Sequence, residues 1–163
     1  MTFLKTLILS LSLVFAGTAL FAQGTQVAFG TIQDNSGLPV EVTADSLAVD
    51  QNAGTALFTD NVVVIQGEMR LSADTVLVIY DTSAQAIDRI EATGNVVLIS
   101  GQDAAESERA DYNVDDGTIV MRGNVLVAQG PSAISADTMT VQISDGTAQM
   151  SGRVKTTLQT GDQ

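Results

Sequence analysis

Two short segments alternate along most of this chain, and that repetition limits its fold more than any other feature. One begins with Ala-Asp and an apolar alternation: Ala44-Asp45-Ser46-Leu47-Ala48-Val49, Ala73-Asp74-Thr75-Val76-Leu77-Val78, Ala110-Asp111-Tyr112-Asn113-Val114 and Ala136-Asp137-Thr138-Met139-Thr140-Val141. The other is an Asn-Val run at Asn61, Asn95 and Asn124, with a fourth copy at Arg153-Val154-Lys155-Thr156-Thr157 in which the Asn is lost. The steps between these starts are 34, 29 and 29 residues. Units this short cannot bury an apolar face alone, so each must cover it with its neighbours. Apolar and polar residues alternate over five to seven positions, Val and Thr abound, and Gly punctuates the runs, which is the pattern of half-buried strands. Asn52-Ala53-Gly54, Asp116-Gly117 and Asp145-Gly146 read as hairpin turns, since Gly and Asn tolerate positive φ. Pro39 and Pro131 both precede strands, where a missing N–H does least harm. The acidic stretch 104–108 reads as a loop. Val40 and Val42 share a parity that Leu47 and Val49 do not, so a bulge or bend is expected near Ala44-Asp45. Repeated bends of this kind predict a curved stack of antiparallel strands, as two facing sheets or a slot-like jelly roll with apolar residues inside.

Composition then removes most chemistry. The 163 residues contain no Cys and no His, which excludes thiol chemistry, disulfides, tetrahedral zinc sites and histidine acid–base catalysis. Asp45, Asp74, Asp111 and Asp137 recur at equivalent repeat positions, as turn-formers do, whereas a catalytic acid is normally singular. No catalytic residue, metal ligand or cofactor is therefore assigned, and the chain is expected not to be an enzyme. A formal net charge of −12 leaves nothing to neutralise a row of phosphates, so no nucleic-acid partner is expected. The chain has no Trp and two Tyr, too few aromatics for the girdles of a membrane barrel. Met1–Lys5, the apolar run Leu7–Phe15 and the small residues Ala16–Ala19 and Ala22 form the three regions of a secretory signal peptide. Cleavage is expected after Ala22, or alternatively after Ala19, releasing an exported chain. The competing reading is an uncleaved single-span anchor over residues 6–22. The expected organisation is a leader at 1–22, a flexible segment at 23–38, a β-domain at 39–158 and a tail at 159–163.

The run Pro39–Asp45, then Asp60–Gly67, then Leu71–Val76, resembles the opening of the LptA/OstA-like family of lipopolysaccharide-transport domains. The match resumes at Ala92–Ser100 and continues through Gly123-Asn124-Val125 and Ala136-Asp137 to Val154–Leu158. No single motif is sharp, but their order and spacing together are specific. The resemblance implies an all-β fold: a β-jelly roll of twisted antiparallel strands with an open apolar groove. It implies a periplasmic carrier that shields the lipid A acyl chains of lipopolysaccharide while bridging inner- and outer-membrane complexes. It also implies an LptC-like inner-membrane partner at one edge, an LptD-like outer-membrane partner at the other, and head-to-tail stacking with like domains. By the same resemblance Val40 and Val42 line the groove. By alternation within the repeats Val62, Val64, Val76, Val78, Val96, Leu98, Val125 and Val127 face the same side, as groove lining or as ordinary core. The partner edges are Val40, Glu41, Val42 and Thr43 at one end and Val154 and Thr156 at the other, read as open to β-augmentation. Alternatively, the flanking tails fold over those edges. Arg70, Arg89, Arg109 and Arg122 are the candidates for head-group contact, although so acidic a chain is an awkward host for phosphates. Two other readings fit the residues: a membrane-anchored LptC-like member of the same pathway, and a structural β-repeat module of the envelope that carries no lipid.

Overall fold

The computed structural model of the chain describes residues 25–29, 37–81, 83 and 86–158. The leader and the tail at 159–163 lie outside the described residues. The strands are β1 (Thr25–Ala28), β2 (Glu41–Thr43), β3 (Ser46–Asp50), β4 (Thr55–Gln66), β5 (Met69–Asp81), β6 (Ala86–Ser100), β7 (Asp103–Asn113), β8 (Thr118–Gln129), β9 (Ser132–Gln142), β10 (Thr147–Ser151) and β11 (Lys155–Thr157). All pairing is antiparallel. From β4 to β9 the chain meanders, each long strand lying beside the next in sequence. The predicted turns at 51–54, 114–117 and 143–146 close one side of the meander, and tight turns at Gly67-Glu68, Gly101-Gln102 and Gly130-Pro131 close the other.

A line of irregularities divides every long strand in two, and one further shift, between Ile79 and Tyr80, lies apart from it near the end of the β5/β6 ladder. Register shifts fall between Thr59 and Val62, Ser72 and Thr75, Thr93 and Val96, Glu106 and Arg109, and Arg122 and Val125. On β4, β6 and β8 the shift holds two consecutive residues at positive φ: Asp60-Asn61, Gly94-Asn95 and Gly123-Asn124. On β5, β7 and β9 it holds one acidic residue: Asp74, Glu108 and Asp137. An extra residue bends a strand and re-aims every side chain beyond it. Interior positions therefore step from Ala73 to Val76, from Ser107 to Ala110 and from Ala136 to Met139, three residues instead of two. The bend foreseen at Ala44-Asp45 belongs to this series.

The bend folds one sheet into two facing layers. The first layer is β2, the halves of β4 to β9 that adjoin the tight turns, and β11, which pairs with β9 at Ala133–Ser135. The second is β3, the remaining halves, β10 and β1. Between them lies one contiguous apolar core built from Val, Ile, Leu, Met and Ala, with Phe29 and Tyr112 its buried aromatics. Two expectations fail here. Residues 104–108 are strand, part of β7, because Ala105 and Ser107 alternate inward and the cross-strand neighbours on β6 and β8 take up the amides. Residues 25–28, placed in a flexible lead-in, form β1 because the free edge of β10 offers them a ladder.

Candidate functional site: an apolar interior with unequal ends

Alternation on a pleated strand sends every second side chain inward, and the interior collects the residues that the repeat nominated. Val62, Val64, Val76, Val78, Val96, Leu98, Val125 and Val127 are all buried in it. Val40 and Val42 are half-buried and pack against the same core from the β2 end. The ten candidates thus share one continuous surface, which runs across the strands from β2 and β3 to β10. Few polar groups interrupt it. Tyr112 Oη donates to Gln66 Oε1 across the two layers at 3.0 Å, and Gln66 Nε2 donates to the Leu38 carbonyl at 3.0 Å. Burial pushes the Tyr112 phenol up, and its bond to Gln66 offsets that only in part. Ser100 Oγ is buried and has no hydrogen-bond partner among the described residues.

The two ends of this interior differ. At the first, β2 and β3 pair with β4 on one side only, and their other sides carry no strand among the described residues. Leu47 lies opposite Phe58 and Val49 opposite Ala56, so both point to the interior face. They are nevertheless 55% and 62% exposed, with no further strand over them among the described residues. At the other end the interior side chains of Ile143, Ala148 and Met150 are sealed. There β1 pairs with β10 in the register Thr25↔Met150 to Ala28↔Thr147, and the Phe29 ring, 0% exposed, fills the interior just beyond it. Phe29 N donates to the Gly146 carbonyl at 3.0 Å, and Gln129 Nε2, in the opposite layer, reaches the Ala28 carbonyl at 2.5 Å. Of the predicted edge residues, Glu41, Val42 and Thr43 are β2 and Thr156 lies in β11. Val40 and Val154 fall one residue outside those strands.

The outer surface holds the charge. Asn61 Nδ2 donates to Asp45 at 2.6 Å, Asn95 to Asp74 at 2.8 Å and Asn124 to Glu108 at 2.6 Å, and Arg153 completes the row on Asp137 at 2.6 Å. Through these bonds each acid grips the left-handed pair on the next strand. The Arg153 guanidinium holds the Asp137 carboxyl below its usual value. The third repeat was misread: its corner acid is Glu108, and Asp111 serves elsewhere. A recurring offset would have revealed this, since Glu108 precedes Asn124 by the 16 residues that separate Asp45 from Asn61 and Asp137 from Arg153, while the longer second repeat sets Asp74 and Asn95 21 residues apart. Asp111 instead joins Arg109 at 2.7 Å and Arg122, while Glu91 joins Arg89 at 2.9 Å and Arg109 at 3.0 Å. Three of the four arginines considered for head groups are therefore engaged by carboxylates of this chain. No cluster of three or more acidic residues suited to a metal ion occurs among the described residues.

Residues 41–147 match the family described as LptA/(LptD N-terminal domain) LPS transport protein. An uncharacterised protein of Rhizobium meliloti is 34% identical over 112 residues, 64% of this chain and 60% of that protein. The lipopolysaccharide export system protein LptA of Escherichia coli is 33% identical over 90 residues, 55% of this chain and 47% of LptA. The chain thus spans about half to three fifths of the length of these relatives. Among solved structures, LptH of Pseudomonas aeruginosa, described as the LptA-homologous periplasmic component of the lipopolysaccharide transport device, superposes with a TM-score of 0.69. That match covers 77% of this chain and 98% of LptH at 18% identity, a likeness of fold.

Proposed function

The chain belongs to the LptA/(LptD N-terminal domain) family of lipopolysaccharide-transport proteins, and from that premise we propose that it is a periplasmic carrier, released by leader cleavage, which shields the acyl chains of lipid A between its two layers. One observation carries the reading: interior-facing Leu47 and Val49 stand exposed at two edge strands whose outer sides carry no strand among the described residues. A finished sandwich hides such side chains, whereas a conduit needs a greasy mouth with an edge to which another sheet can attach. Each CH₂ in water costs about 0.8 kcal/mol, so a chain of about twelve carbons costs roughly 10 kcal/mol unless it is continuously covered. A Val-rich lining with few polar anchors supplies that cover without a deep well to arrest the lipid. Since Val96, Leu98, Val125 and Val127 are closed to solvent, passage requires the layers to part, hinging at the bent corner. The head group stays outside, beyond the acidic surface.

The ends fit head-to-tail assembly. β3 and β10 each have five residues and β2 and β11 each have three, with a corner between the members of each pair. The β2/β3 end takes an LptC-like inner-membrane partner, the β10/β11 end an LptD-like outer-membrane one, and a second copy fits between. Photo-reactive residues at Leu47 and Val125 test the carrier in cells. Crosslinks to lipopolysaccharide at both sites are expected; crosslinks to protein alone would leave only an envelope scaffold. A mature N-terminus at Gln23 or Leu20 is expected by sequencing, and an intact leader would instead indicate an anchored LptC-like protein.

A further inference from the structure

We infer that β1 and Phe29 form a removable self-cap, which holds the β10 edge closed until the β2/β3 end of a second copy displaces it. The inference rests on the proposed head-to-tail docking and adds its control. β1 offers four residues of ladder, and only to the second layer; β11, the edge of the first layer, carries no further strand on its outer side among the described residues. A second copy would bring five residues of β3 for β10 and three of β2 for β11, twice the ladder that the cap provides. It would also bring Leu47 and Val49, the exposed interior side chains, to Ala148 and Met150, which β1 and Phe29 now seal. The cap has the advantage of being intramolecular, so it wins in dilute solution and loses where copies or like domains are concentrated. A capped edge also avoids the indiscriminate pairing to which a bare one is prone. Conduit and cap are mutually exclusive at this end: the Phe29 ring occupies the interior cross-section through which an acyl chain would leave.

Gln26 and Gln149 lie opposite each other and both are exposed, and the chain has no cysteine of its own. Gln26→Cys with Gln149→Cys therefore creates one reversible lock on β1, in a directly opposed antiparallel pair whose typical Cα spacing of about 4.5–5.5 Å suits a disulfide. The protein is made from the full chain with its own leader and recovered from the periplasm of the expressing bacterium. Self-association is read by light scattering across a concentration series, and folding is checked by circular dichroism. Reducing the lock is expected to tighten head-to-tail association about tenfold or more, equivalent to about 1.4 kcal/mol. Deleting residues 25–29 is expected to do the same without any thiol. Association that is weakened by Thr156→Pro on β11, yet indifferent to both the lock and the deletion, would overturn the cap and leave edge docking standing. Absence of association in every form, the deletion included, would overturn docking and the cap together.

Discussion

At the scale of single residues, the fold depends on the corner, where left-handed backbone and a clasping acid meet. Gly123 has φ +83°, and a Cβ there would lie 2.6 Å from Glu108 Oε2 and 2.9 Å from Glu108 Cβ. Gly130 has φ +53°, and a Cβ there would meet nothing within 4 Å. Left-handed geometry alone costs an L-residue about 1–2 kcal/mol. Gly130→Ala is thus expected to lose about 1 kcal/mol in urea unfolding and Gly123→Ala about 2 or more, because only Gly123 must also push the acid aside. Equal losses would mean that the clasp tolerates displacement. Asp111 gives a pH-dependent test. Burial raises its pKa, but hydrogen bonds and charge from Arg109, then Arg122, outweigh that and hold the carboxyl below its usual value. A depressed folded-state pKa stabilises above the unfolded value of about 4 and is lost as pH falls below it. The arginines are 43% and 51% exposed, so screening limits the effect to under about 1 kcal/mol. Asp111→Asn is expected to be slightly less stable than the wild type at pH 7, with the two converging as the pH falls below about 4. A gap that persists in acid would assign the loss to packing instead.

At the scale of elements, alternation foretold nearly every strand, because a strand buried on one face writes its period directly into its sequence. The corners were legible as breaks in parity. The third was missed because Ala110-Asp111 imitates the repeat's opening while Ser107-Glu108 occupies its place, a substitution that preserves the bend but not the letters. β1 was illegible for another reason. Thr-Gln-Val-Ala is too short to carry a period, and what makes it a strand is the edge of β10, more than a hundred residues along the chain. Alternation likewise placed Leu47 and Val49 inside but could not tell that they would stand uncovered, since a mouth and a core use the same side chains. The β2 edge permits a test at this scale. Amides of Glu41, Val42 and Thr43 alternate between facing β4 and facing away from it. A proline removes one donor, so substitutions at the three positions in turn should divide into two classes. Those whose amide faces β4 lower the melting temperature; those whose amide faces outward leave it unchanged and abolish docking of a second copy, as measured by light scattering. An outward-facing proline that docks normally would refute strand augmentation at this end.

At the scale of the molecule, the consequence of the repeat is that length is a free variable. Each pair of long strands adds the same increment to both layers and contacts only its neighbours, the condition under which stability is close to a sum over units. The corner supplies a splice point: Gly94 precedes Asn95 as Gly123 precedes Asn124, with the same signs of φ on both members. Excising residues 95–123 joins Gly94 to Asn124 and restores a Gly-Asn corner, leaving β9 to pair with a hybrid of the first half of β6 and the second half of β8. The deletion removes Arg109, Asp111 and Arg122 together, so no ion pair among those three is left half-made. It also removes Tyr112, stranding Gln66 without its cross-layer donor at a cost of about 1–3 kcal/mol. The shortened chain is therefore expected to fold cooperatively at reduced stability, with a urea m-value lower by about a fifth in proportion to the surface lost. Restoring a partner for Gln66 should recover part of the loss. Both ends survive the excision, so head-to-tail association should persist with its original affinity. A chain that folds but no longer associates would show that the ends are coupled through the middle of the sheet, and that the layers act as one spring instead of a row of independent units.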